Sequence, residues 1–256
     1  MWEGFFETYL LFLMVFARMA GMLLFNPILG KRHVPAQIKM GLALLCAFIL
    51  TPAFDSVPYI PAAPVPLVLG FLKELLIGFG CGFVISLFLA AALMAGEMID
   101  MQLGMSMSRI YDPQSNVSMP LTGTVYNLMF GLMFFAADGH LALIRLIADS
   151  FALIPPGPVL PNLTSGPALS SLFGDMLSMA VRMALPVIAM ELFCELGLGI
   201  LMRTVPQINI FAAGLQLKLL AGLVMVVAML SGTAGALGTG MDNLFGSIQN
   251  LMRSMA

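Results

Sequence analysis

MLSMAVRMALPVIAMELFCELGLGILM, residues Met176 to Met202, reads as a helix that lipid alone cannot solvate. Its apolar content is that of a membrane span, yet it carries Arg182, Glu191 and Glu195, with Pro186 in its middle. A charge inside an apolar segment costs about 2.5–3.5 kcal/mol on insertion scales, so each one needs a partner or a wet surface. Glu191 and Glu195 are four residues apart, which puts both carboxylates on one helix face. Arg182 lies nine residues before Glu191, about half a turn round the helix, so it cannot pair with it locally. Two readings fit: a proton or cation relay, or ion pairs to another helix, for instance through Lys218, or to another subunit. The second is preferred, because no further acids line up with these two into a continuous polar path.

Working outward, the whole chain shares this character. Of its 256 residues 60% are hydrophobic, and only 9% are charged, against roughly 25% in soluble domains. A mean hydropathy of +1.01 would leave large apolar patches facing water, so lipid or partner proteins must cover them. The net charge of −2 and the lack of a long basic run argue against a nucleic-acid partner. Cys46, Cys81 and Cys194 sit in apolar segments without metal-type spacing and read as buried small hydrophobes. The N-terminus has no basic region ahead of its apolar run and is expected to be retained.

A spanning helix needs about 20 mostly apolar residues. Leu75 to Gly96 and Leu219 to Met241 meet that length without charge. Thr8 to Gly30 is split by Arg18, Met40 to Phe54 is short and holds Pro52, and Val125 to Ala137 is short and followed by Asp138. Six hydrophobic stretches result, several of them too short or too charged for an ordinary multi-span bundle. Pro52, Pro58, Pro61, Pro64 and Pro66 predict one stiff linker, and Pro155, Pro156, Pro158, Pro161 and Pro167 another. If all six stretches cross, Lys31, Arg32, Lys39, Arg109 and Arg203 share a side, favouring the cytoplasm for it, with Arg145 and Arg253 opposite.

Smaller motifs mostly read as structure. Gly78 with Gly82, and Ser231 with Gly235 and Thr239, are small-xxx-small faces that allow close helix packing; the glycines from Gly232 to Gly240 could also let the last helix bend. Lys73-Glu74 and Glu97 with Asp100 flank the long apolar stretch as membrane-edge anchors. Asp138 is placed to cap a short helix carrying Leu141, Ile144, Ile147 and Phe151. With His33 and His140 the only histidines, and no HExxH or GxSxG, neither a metal site nor a catalytic nucleophile with its base is present in the sequence, and no cofactor is implied. Met94, Met98, Met101, Met105, Met107 and Met119 crowd round a polar central loop, where flexible thioethers could form a deformable seal.

Four long blocks, in order, carry a family resemblance. FARMAGMLLFNPILGKRHVPAQIKMGLALLCAFILTP (Phe16 to Pro52), GEMIDMQLGMSMSRIYDPQSNVSMPLTGTVYNL (Gly96 to Leu128), DGHLALIRLIADSF and ALPVIAMELFCELGLGILMRTVPQINIFAAGLQLKLLAGL resemble the FliR family of flagellar biosynthetic proteins, and YDPQS favours the flagellar branch over the virulence-secretion branch. The resemblance implies an all-α, membrane-associated subunit whose six or so helical segments form hairpins within a helical hetero-oligomeric pore in the bacterial inner membrane, at the flagellar basal body. It implies FliP and FliQ homologues as partners, FlhB and FlhA as neighbours, and unfolded rod, hook and filament subunits as cargo. It further implies a FliP-like part, 1–175, and a FliQ-like hairpin, 176–256. A pore plug carries over to Gly104–Pro120, with Met105, Met107, Ile110, Tyr111 and Met119 as occluding side chains.

The function expected is therefore a non-enzymatic pore subunit of the flagellar export gate. The competing class is an ion-coupled secondary transporter using Glu191, Glu195 and Lys218, for which repeated halves, the usual accompaniment, are not visible.

Overall fold

The computed structural model describes residues 2–28, 35–54, 63–105, 120–157, 166–204 and 210–255. Among them are eight α-helices and no strand: α1 Trp2–Phe25, α2 Ala36–Leu50 running into a 3-10 turn at Thr51–Ala53, α3 Pro64–Gln102, α4 Leu121–Ala136, α5 Gly139–Leu153, α6 Gly166–Thr204, α7 Ile210–Ala228 and α8 Leu230–Met255. Four helices are long and apolar enough to cross a membrane, and up to six spans result if each of two bent pairs counts as one. The chain is an all-α membrane protein.

Several helices outrun their apolar stretches. α1 passes straight through Arg18, and α3 takes in Lys73, Glu74, Glu97 and Asp100. α6 continues through Pro186, at the cost of one backbone hydrogen bond to the preceding turn. Pro64, Pro66 and Pro167 are not linker residues but open helices, where a missing N–H costs nothing. Pro58, Pro61, Pro158 and Pro161 lie outside the described residues, as do Lys31, Arg32 and Arg109 of the orientation count.

Two expectations are corrected. Leu219 to Met241 is not one straight span: the pair α7 and α8 bends by 56° at Met229. Ser231-Gly232-Thr233 follows the break, and Thr233 Oγ1 donates back to Leu230 O at 2.9 Å; Gly/Ser pairs and back-bonding hydroxyls are recognised causes of bending. Asp138 does not cap α5 through its side chain. It sits in the left-handed region at φ 54° with no side-chain cap bond, a conformation aspartate tolerates better than most residues. Just past the turn, Gly139 lies against the Phe134 ring, and a β-carbon there would stand 2.6 Å from it.

The chain divides into two compact units. Unit one comprises Met1–Phe88, Phe134–Phe173 and Asp242–Ala256, and unit two Leu89–Met133 and Gly174–Met241. In unit one, Leu11, Met14, Val15, Arg18, Met19 and Met22 recur at helical spacing and are buried, so one face of α1 forms much of the core. It rests on α3 at backbone distance: Gly78 lies against the carbonyl of Arg18, and a β-carbon at Gly82 would stand 3.0 Å from Met22 O. Phe25 then meets Phe79 edge-on at 4.6 Å. In unit two, Ala91, Ala92, Ala95 and Ile99 of α3, Tyr126 and Phe130 of α4, and Ala180, Met183, Ala184 and Val187 of α6 are buried.

Candidate functional site

The central loop leaves α3 and returns at α4, and its two feet are tied together within unit two. Gly104 takes φ 78°, the left-handed geometry that ends a helix most easily with glycine, and Met105 N–H donates to Asp100 O at 3.0 Å. On the return side, the Asp100 carboxylate accepts from Thr122 Oγ1 at 2.5 Å and from Thr122 N–H at 3.2 Å. A helix-start N–H normally lacks an intrahelical partner, and here an acid four residues before the loop supplies it. Gly96 and Gly123 complete the closure by bringing the backbones of α3 and α4 into contact that no β-carbon would permit. Of the occluding side chains, Met105 lies at this foot, and Met107, Ile110, Tyr111 and Met119 lie outside the described residues.

Four other expected residues lie on α6 and α7, also in unit two. Lys218 donates to Glu195, a pair with the lysine mostly covered and the acid half-exposed. Glu191, one turn earlier, is fully buried, and neither of its oxygens has a hydrogen-bond partner among the described residues. Arg182 is exposed on the same helix and makes no ion pair among the described residues. Gly222 stands one turn beyond Lys218, and its open side is filled by Leu103, just past the end of α3, and by Glu191 Oε1.

Unit one holds a charge cluster whose members the sequence showed only separately. Arg18 Nε donates to Glu74 Oε2 at 2.5 Å, Nη1 to Ser150 Oγ at 2.9 Å and Nη2 to Ile154 O at 2.9 Å. Its guanidinium also lies 4.0 Å above the Phe151 ring. Lys73 Nζ donates to Pro155 O at 2.9 Å and stands 3.2 Å from Glu74 Oε1. Lys73 and Glu74 are therefore not membrane-edge anchors: both are buried, held there because Arg18 needs an anion and cannot find one in lipid. Two cations share one carboxylate, and the surplus positive charge faces carbonyls just past the C-terminus of α5, where the helix dipole is negative. The available signal was an arginine in mid-span, which demands a buried acid elsewhere. Asp100 was likewise read as an anchor and is instead the staple of the loop feet.

The two small-residue faces fare differently. Gly78 and Gly82 receive α1, as described. Ser231 and Gly235 are exposed, and a β-carbon at Gly235 would meet nothing, so among the described residues no helix of this chain packs there. No group of three or more His, Cys, Asp or Glu among the described residues could hold a metal ion.

Comparison with known proteins bears on the arrangement as a whole. Residues 9–244 match the family described as bacterial export proteins, family 1. The chain is similar to the flagellar biosynthetic protein FliR of Escherichia coli (strain K12), with 32% identity over 231 residues covering 88% of this chain and 85% of that protein. It is 33% identical over 223 residues to the protein of the same name in Bacillus subtilis (strain 168), covering 86% of each. A third relative, FliR of Caulobacter vibrioides, is 30% identical over 226 residues, 86% of this chain and 88% of that one.

Proposed function

From the premise that this chain belongs to bacterial export protein family 1, with the FliR proteins, and is a membrane-embedded component of the flagellar export apparatus, we propose that it is a non-enzymatic pore subunit of the export gate. It assembles with FliP and FliQ homologues in the inner membrane at the flagellar basal body, next to FlhB and FlhA. Unfolded rod, hook and filament subunits pass through the pore, and other components supply the energy. The central loop from Gly104 to Pro120 closes the resting pore.

One observation carries the reading beyond family membership. Within the apolar part of α6, Leu169–Leu201, only 17% of the residues in its most apolar 18-residue stretch are buried in the isolated chain, and the uncovered surface of α6 includes Leu192, Phe193, Leu196 and Ile200 together with Arg182 and Glu195. Lipid would cover the apolar side chains but not the ions; neighbouring polypeptides can cover both.

Mild detergent extraction of the tagged chain tests this. Co-isolation of two other small hydrophobic proteins in one ring-like particle is the expected result. A lone monodisperse species that concentrates a solute in vesicles would overturn it and favour the ion-coupled transporter. Within the gate, removing Met105 to Met119 should leave assembly intact and make the membrane leaky to small ions; resting permeability unchanged would rule out the loop as the closure.

A further inference from the structure

Two side chains of unit two, Leu103 and Glu191, meet at the notch left by Gly222. Leu103, the first residue past α3, is fully enclosed, and its Cδ2 occupies the place where a β-carbon would stand if residue 222 were anything but glycine. Glu191 Oε1 lies 2.8 Å from that same position. A leucine methyl and a carboxyl oxygen therefore share the space that Gly222 leaves open on α7. Lys218 is one turn away on that helix, yet it donates to Glu195, and both oxygens of Glu191 stay without a hydrogen bond among the described residues. Asp100, an acid of α3 three residues before Leu103, is occupied by Thr122.

We propose that Leu103 is the positioning residue for the C-terminal end of α3, seated in the notch of Gly222, and that the carboxyl of Glu191, unbonded among the described residues, keeps the seat releasable. Burial of the leucine holds the end of α3 down. Burial of a carboxyl without a partner among the described residues opposes it, and the two effects are of the same order. Lifting Leu103 gives up packing but lets water reach Glu191, so neither position is strongly preferred. Gly104, next in sequence and already left-handed at φ 78°, supplies a joint about which the lift can occur. The functional meaning rests on the reading above, that this end of α3 leads into the pore closure.

The test uses the full chain in its native detergent-extracted complex, with Gly222→Ala, Leu103→Ala, the double variant, Glu191→Leu, and Gly235→Ala as control, since a β-carbon there meets nothing. Amide hydrogen exchange is read at Leu103, Gly104 and Met105, whose N–H groups donate to Ile99, Met101 and Asp100. Gly222→Ala should speed exchange there about tenfold by populating the lifted state, and the double variant should exchange no faster than Leu103→Ala alone. Glu191→Leu should slow it severalfold. Exchange in Gly222→Ala matching the Gly235→Ala control, or adding independently to the effect of Leu103→Ala, would overturn the seat. If Gly222→Ala fails to assemble, Glu191→Leu decides, and faster exchange in it refutes the proposal. Ion leak through vesicles carrying the same complexes is read separately. Raised exchange with unchanged leak would leave the seat standing and overturn its tie to the pore.

Discussion

Arg18 and Glu74 face each other across α1 and α3 with 2.5 Å between Nε and Oε2, and neither side chain touches solvent. Removing one partner of such a pair strands the other charge. Arg18→Met is expected to cost about 3–5 kcal/mol, read as a lowered thermal unfolding midpoint in detergent. Arg18→Met with Glu74→Leu should cost less than the sum of the two single changes. Additive losses would mean that the two residues act independently.

Gly78→Ala drives a β-carbon into the Arg18 carbonyl and should destabilise by about 1–3 kcal/mol, as overpacking does. Gly232→Ala, where nothing lies within reach, should be neutral or gain up to about 1 kcal/mol of helix propensity. Opposite signs in the two melting shifts are expected, and equal shifts would refute the close crossing of α1 and α3.

Some of this was legible in the residues and some was not, for identifiable reasons. Gly78 and Gly82 announced a close approach because helical spacing alone puts them on one face. Arg18, Lys73 and Glu74 were each visible, but their meeting depends on which helix crosses which, and that is a tertiary fact. Length misled at α7 and α8: an uncharged run from Leu219 to Met241 satisfies the requirement for a span, yet the Ser231-Gly232-Thr233 chemistry that bends it has no signature in hydropathy. Asp138 had the right side chain for a cap and the wrong backbone, and the crowding of Gly139 against Phe134 cannot be read from a string. The pairing of Lys218 with Glu195 follows from spacing plus a hairpin; that Glu191 has no hydrogen bond among the described residues and shares the Gly222 notch with Leu103 does not, because it depends on which helix end arrives there.

Asp100→Ala leaves the Thr122 N–H and hydroxyl without their acceptor in a buried position and should cost about 1–3 kcal/mol. Faster amide exchange at Thr122 is the direct readout. Thr122→Ser, which keeps both donors, should exchange nearly as wild type. If Asp100→Ala protects Thr122 as well as wild type does, the carboxylate is not what ties the loop feet.

Glu195→Gln breaks an ion pair whose acid is half-exposed, and pairs of that kind contribute at most about 1 kcal/mol. The unfolding midpoint of the isolated chain should scarcely move, in contrast to Arg18→Met. A loss comparable to that of Arg18→Met would mean that the α6–α7 hairpin depends on this pair.

The sparse cover on α6 has a cellular consequence. A copy made in excess of whatever sheathes that helix presents Leu192, Phe193 and Leu196 on the same helix as the exposed Arg182, which has no ion pair among the described residues, and such uncovered surface exposes a chain to proteolytic triage. Abundance of this chain should therefore track the supply of its neighbours rather than its own rate of synthesis.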